Sequence, residues 1–245
     1  MAFATRFRIA TEKEKVVAVA RLVKASTGDF DFYLFAILGV VMATVGLLLN
    51  SPEVIIGSML IAPVLYPMLS LGLALVLSDG ALLWRSVRTI CISLVVAVVV
   101  SFMATMVFDV FGNYSATTQL TARAVPSALF FFVALVSGFA ASYALVHANL
   151  NEMLPGVAIS VALVPPLAAV GVGLALADVS VAGGAFGLFV LNVAGITLAS
   201  MIAFTLMDLH GTHRIVGSAI KQEEFRLEKE EKRVKEIVKN YDHKN

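Results

Sequence analysis

The apolar positions of this chain gather into six runs, at about 32–49, 54–77, 87–108, 128–146, 154–177 and 181–206, separated by short polar connections. Each run clears the roughly 18 residues that a helix needs to cross hydrocarbon, so the pattern predicts six membrane-spanning helices. The second run opens on a helix-start signature: Ser51 as N-cap, Pro52 at the first helical position and Glu53 in the first turn. Pro63 and Pro67 then fall in its middle. A proline inside a helix removes a backbone hydrogen bond and clashes with the preceding turn. In hydrocarbon only protein or trapped water can satisfy the freed carbonyls. The run therefore predicts a helix broken near the bilayer midplane. The fifth run repeats the plan, with Asn151 and Glu152 at its start and Pro165 and Pro166 halfway along. Two interrupted spans in corresponding places of two half-chains point to a transporter-type binding site.

The segments outside the runs follow other periods. In residues 1–29, Thr11 and Glu14 have capping-box spacing, and Val16, Val19, Ala20 and Val23 recur on one helical face. This predicts a short helix lying on the membrane or packing on the bundle. Past Leu209 the chain turns polar, and 221–240 reads as a charged helix. Ile220, Leu227, Val234 and Tyr241 recur every seven residues. One apolar heptad position favours a solvated helix over a coiled coil, and leaves a homo-oligomer around this tail as the alternative.

The two halves align without a gap at an offset of 99, which pairs Gly39 with Gly138, Asn50 with Asn149, Glu53 with Glu152 and Gly57 with Gly156. The same offset pairs Pro67 with Pro166, Gly72 with Gly171, Asp79 with Asp178 and Asp109 with Asp208. An offset of 103, which superposes Pro52 on Pro155 and Pro63 on Pro166, competes with it. The two differ by about one helical turn and bring the same faces together. Each half holds three spans, so the second enters from the opposite side. The fold class predicted is an all-α integral membrane protein: six transmembrane helices as two inverted three-helix repeats with broken second and fifth helices. Repeat one covers 30–112 and repeat two 126–208. They are flanked by an amphipathic segment over 1–29 and a charged helix over 209–245.

Composition narrows the class further. With 59% hydrophobic residues, 14% charged and a mean hydropathy of +0.91, the chain reads as a membrane protein and not as a soluble domain. The net charge of +1 says little, because the charges are segregated. Seventeen of the eighteen Lys and Arg fall in the two tails or at Arg85 and Arg88, leaving Arg123 alone for the other side. The positive-inside rule then makes both termini cytoplasmic. The first apolar run follows nearly thirty residues of charged sequence and is long enough to span, so no cleavable signal is expected. Cys91, the single cysteine, excludes an intrachain disulfide and reads as a small buried residue.

The candidate chemistry is sparse. Glu53 and Glu152 are carboxylates at span boundaries that could relay protons or bind a cation, or could simply offset the positive ends of the helices they begin. Asn50, Ser51, Asn149 and Asn151 suit either a polar vestibule or capping. Breaks at Pro63, Pro67, Pro165 and Pro166 would expose carbonyls that, with the Ser58 and Ser160 hydroxyls, offer neutral oxygen ligands. Asn192, aligned with Ser93, suits interhelical glue or a substrate contact. Gly183, Gly187, Gly195, Ala199 and Ala203 form a packing stripe. His210 and His213 without a nearby acid or cysteine make a poor metal site. There is no phosphate loop, nucleophile elbow or His/Cys cluster, so neither enzyme activity nor a cofactor or metal is expected. The basic tails are interrupted by acids and explained by the bilayer, so nucleic acid is not an expected partner. The expected function is a transporter or channel for a small solute or ion; the alternative is a membrane scaffold or sensor acting through its tails.

Two stretches also carry a family resemblance. DFDFYLFAILGVVMATVGLLLNSPEVIIGSMLIAPVLYP at 29–67 and GVAISVALVPPLAAVGVGLAL at 156–176 resemble the motifs of the uncharacterised hydrophobic-domain membrane proteins of bacteria and archaea, domain of unknown function 389. The resemblance covers about 29–208. It implies a protein of the prokaryotic cytoplasmic (inner) membrane and brings no activity with it. It also implies glycine before the second proline of the first motif, where this chain has Tyr66.

Overall fold

The computed structural model describes residues 10–110, 116–154 and 163–242, and the regular structure of these residues is helical throughout. In chain order the helices are α1 (Glu12–Ser26), α2 (Phe30–Leu48), α3 (Pro52–Ile61), α4 (Leu65–Leu77) and α5 (Gly80–Asp109). They continue with α6 (Thr118–Ala122), α7 (Ala128–Val146), α8 (Val164–Ala175), α9 (Val179–Leu206) and α10 (His213–Asp242). Helices α2, α5, α7 and α9 are each long and apolar enough to cross a membrane. Helices α3 and α4, bent by 54° at the break between them, add a fifth if the pair is one span rather than a re-entrant loop. The chain is thus a helical membrane protein with four or five apolar spans among its described residues. Among its described residues the fifth predicted run, 154–177, holds α8, whose 12 residues are too short to cross alone. Residues 155–162, including Pro155, Gly156 and Ser160, lie outside the described residues.

Local chemistry sets the helix ends. The Asp79 carboxylate accepts the Leu82 N–H at 2.9 Å at the start of α5, and Asp178 accepts the Val181 N–H at 3.0 Å at the start of α9. Before each, a left-handed residue closes the preceding helix: Ser78 at φ 52° and Ala177 at φ 57°. The Asp79 N–H then reaches the Ala74 carbonyl at 3.0 Å, and the Asp178 N–H reaches Gly173 at 2.8 Å. All these pairs stand 99 residues apart. Replacing Asp79 by alanine should cost about 1 kcal/mol through the lost N-cap, read as a lower thermal midpoint in detergent, whereas Asp79→Asn should keep most of it.

The packing between the halves is reciprocal at the same offset. A Cβ on Gly72 of α4 would lie 1.8 Å from Ser200 Oγ and 3.1 Å from the Thr197 carbonyl of α9. A Cβ on Gly171 of α8 would lie 2.6 Å from the Val98 carbonyl and 2.7 Å from Ser101 Cβ of α5. Ser101 and Ser200, and likewise Val98 and Thr197, are themselves 99 apart. Mutual contacts of this kind, where i meets j′ and i′ meets j, belong to a two-fold relation. At the centre, Thr44 Oγ1 of α2 donates to Ser101 Oγ at 2.8 Å, and Ser101 donates to the Ala168 carbonyl of α8 at 2.7 Å. Of the predicted glycine stripe on α9, Gly195 packs on Ala134 of α7 and Gly187 on Pro126 just before that helix, while Gly184, outside the stripe, meets Ala124 of the same connection. Gly183 faces open space instead.

Three expectations need correction. Helix α1 starts at the predicted capping box, but its buried face is Lys15, Ala18, Val19, Leu22, Val23 and Ser26, while Val16 and Ala20 are exposed. The helix is bound into the bundle: Ser70 donates to the Leu22 carbonyl at 2.8 Å and Thr89 to the Ser26 carbonyl at 2.7 Å. Helix α10 is not simply solvated. Val216 is buried, Arg85 pairs with Glu224, and Arg226 lies 3.8 Å from Asp29. Cys91 is exposed, not buried, because the buried face of α5 runs through Ser86, Thr89, Ser93 and Ala97 instead.

Candidate functional site

The site forms where α3 gives way to α4. Pro63 has no N–H to continue the helix, and α3 ends at Ile61. Pro67 then sits at the third position of α4, where a helix has no intrahelical partner for its N–H in any case. One break therefore relieves both prolines. Its level is set by glycine: a Cβ on Gly39, the middle residue of α2, would lie 2.7 Å from Ala62 Cβ. The chain is interrupted halfway along the neighbouring span, as the sequence predicts.

A cavity of about 390 Å³ runs beside this break to the α1–α2 junction. Pro63, Tyr66, Phe32 and Phe35 form its walls, and its polar groups are Arg21, Lys24, Thr27, Asp29 and Asp31. Asp29 caps α2 through the Phe32 N–H at 2.9 Å, which holds that carboxylate at the cavity rim. Two cations and two carboxylates balance, and aromatic rings flank them. Such a lining can hold a small solute bearing both signs of charge.

The other sequence-derived candidates are dispersed. Glu53 is exposed and accepts the Ser51 hydroxyl at 2.7 Å. It lies about 15 Å from Pro63 by helical rise, at the far end of α3, so the two do not share a site. Asn50 adopts φ 55° and its Oδ1 accepts the Gln119 N–H at 2.9 Å, a loop-fixing role. Ser58 is buried and donates to the Ile55 carbonyl at 2.6 Å, away from the cavity. Asn149 and Glu152 are exposed in the 3₁₀ segment Ala148–Met153. Asn192 is buried in α9. Pro165 and Pro166 are buried in the first turn of α8, where proline fits a helix start. Ser160 lies outside the described residues. Among the described residues no group of His, Cys, Asp and Glu could hold a metal.

Arg123, the lone cation between α5 and α7, is partly buried, and burial lowers its pKa below the usual guanidinium value. Of the cavity's charged residues, Arg21 and Lys24 were visible in the sequence only as topological markers, and Asp29 and Asp31 only as part of the motif at 29–67.

The family described as a domain of unknown function, DUF389, matches residues 59–198. The chain belongs to that family. The matched stretch contains Pro63, Pro67, Pro165 and Pro166 but neither Glu53 nor the two tails. An uncharacterized protein of Methanocaldococcus jannaschii is 29% identical over 176 residues, which cover 70% of this chain and 52% of the relative. The chain thus spans about half the length of that relative. No solved structure matches.

Proposed function

We propose that this protein is a membrane transporter or channel for a small solute or ion, with its site at the proline-broken second and fifth spans of two inverted three-helix repeats. The observation that carries this is the mid-level break opening into a charge-balanced cavity. Support for the repeat comes from the matched turns at Ser78 and Ala177 and the reciprocal glycine contacts. Support for the inversion comes from α1. Asp208, just past α9, lies 3.9 Å from Lys15, while Thr89, near the start of α5, reaches Ser26 at the other end of α1. Both contacts fall on the one helix α1, which supports a reading in which the exit of one third span and the first half of the other lie on the cytoplasmic side. The cavity and the second proline site alternate access on this reading, with Glu53, Glu152, Asn50 and Asn149 at the outer mouths and Ser58, Ser160 and Asn192 along the helices. The balanced lining favours a small dipolar solute over a bare ion.

Proteoliposomes containing the full chain should take up labelled glycine, or pass sodium, potassium or protons down a gradient, faster than empty vesicles. No flux of any of these, together with unchanged protein stability over millimolar concentrations of each, would count decisively against transport. The tail pairs Arg85–Glu224 and Arg226–Asp29 favour a second reading, a scaffold or sensor worked through α10. Deleting 221–245 should leave flux intact under the first reading.

A further inference from the structure

A second cavity, of about 350 Å³, lies on the other side of Thr27 from the first. It differs in charge. Arg85 and Arg88, one turn apart on α5, line it together with Tyr33, Thr89, Ser26 and Gly28, and no carboxylate is among the lining residues. Arg85 Nη1 donates to Thr27 Oγ1 at 3.4 Å, and its other terminal nitrogen pairs with Glu224 of α10. Arg88 is exposed and has no ion-pair partner among the described residues. Leu227 of α10 closes one wall, so the tail helix forms part of the pocket. Trp84, the only tryptophan, is 69% exposed beside Arg85. Tryptophan in that setting marks the headgroup level of a bilayer.

We propose that this cavity binds a phosphate-bearing anion, and that the anion and Glu224 compete for Arg85. Paired arginines present forked donors that match phosphate oxygens. The Tyr33 hydroxyl stands in the same lining, whereas that of Thr89 is already donated to the Ser26 carbonyl. Glu224 is the negative partner of Arg85 from outside the lining: its side chain is 59% exposed, so an incoming phosphate need not displace a buried group. Occupation would free the Glu224 end of α10 from the bundle, an electrostatic release of the kind that juxtamembrane basic clusters undergo. This inference stands apart from transport and would survive its failure.

The phosphate can come from a lipid headgroup or from solution, and one experiment separates them. Full-length protein is placed in phosphatidylcholine nanodiscs, and Trp84 fluorescence is followed as brominated phosphatidylglycerol or inorganic phosphate is added. Saturable quenching by brominated phosphatidylglycerol, beyond that by brominated phosphatidylcholine, assigns the site to lipid. A saturable shift with inorganic phosphate alone assigns it to a soluble anion. In either case Arg88→Gln should weaken binding at least tenfold, and Glu224→Gln should strengthen it several-fold. Arg88 is exposed, so its loss should leave folding intact, which the unchanged thermal midpoint of Arg88→Gln checks. Equal responses from wild type, Arg88→Gln and Glu224→Gln, or no saturable response to either anion, would overturn the proposal.

Discussion

Pro63→Ala should reduce flux through the reconstituted protein at least tenfold while raising its thermal midpoint. Alanine restores an N–H at the break, where it can reach the carbonyl four residues back, and a proline within a helix costs about 3 kcal/mol relative to that continuous alternative. The 54° bend between α3 and α4 would lose its cause. A straightened rod would draw Tyr66 away from Phe32 and Phe35 and close the cavity they share with Pro63. Pro67→Ala is the matched control. Pro67 occupies the third position of α4, where no intrahelical hydrogen bond is missing, so flux should change less than twofold. Proteoliposome uptake and a melting curve on the same preparations decide the matter. Equal losses in both variants, or a Pro63→Ala protein with full flux, would remove the break from the mechanism.

Gly171→Ala should strongly destabilise the bundle. Its Cβ would stand 2.6 Å from the Val98 carbonyl oxygen and 2.8 Å from the Phe102 nitrogen, and backbone atoms inside α5 cannot swing aside. Overpacking of this kind costs about 2–3 kcal/mol, or a drop of roughly 5–10 °C in thermal midpoint for a chain of this size. The reciprocal site answers differently. At Gly72 the nearest atom is Ser200 Oγ, a side-chain end that can be removed. Gly72→Ala alone should therefore destabilise, and Gly72→Ala with Ser200→Gly should recover most of the loss. No comparable rescue should exist for Gly171. Identical melting behaviour of all three variants would show that the two halves do not meet closely at these glycines.

Much of this architecture was legible because membrane helices leave strong marks. Ser51 and Pro52 announced α3, Pro63 its end, and Thr11 with Glu14 the start of α1. The offset of 99 was readable from landmarks such as Asp79 and Asp178, and both turn out to cap their helices in the same way. The face of α1 was misjudged because Val16 and Ala20 continue an apolar period that the bundle does not use, while Lys15 is drawn inward toward Asp208. Periodicity counts apolar residues; it does not know which neighbour a helix will meet. Cys91 failed because burial on α5 follows a stripe of small and hydroxyl residues, Ser86, Thr89, Ser93 and Ala97, and not its apolar positions.

By itself, the order of residues determined that the chain is helical, that it enters a membrane, where α1 and α3 begin and that one span breaks at Pro63. These follow from hydropathy over one span length, from the missing N–H of proline and from capping side chains within three residues of the groups they bind. Only the tertiary structure decided that Glu53 stands a helix away from the break, that α1 and α10 fold back on the bundle, and that Arg21, Lys24, Asp29 and Asp31 border one cavity while Arg85 and Arg88 border another. Those groupings depend on how separate helices pack, and packing joins residues such as Arg85 and Glu224, 139 positions apart, that no local pattern connects.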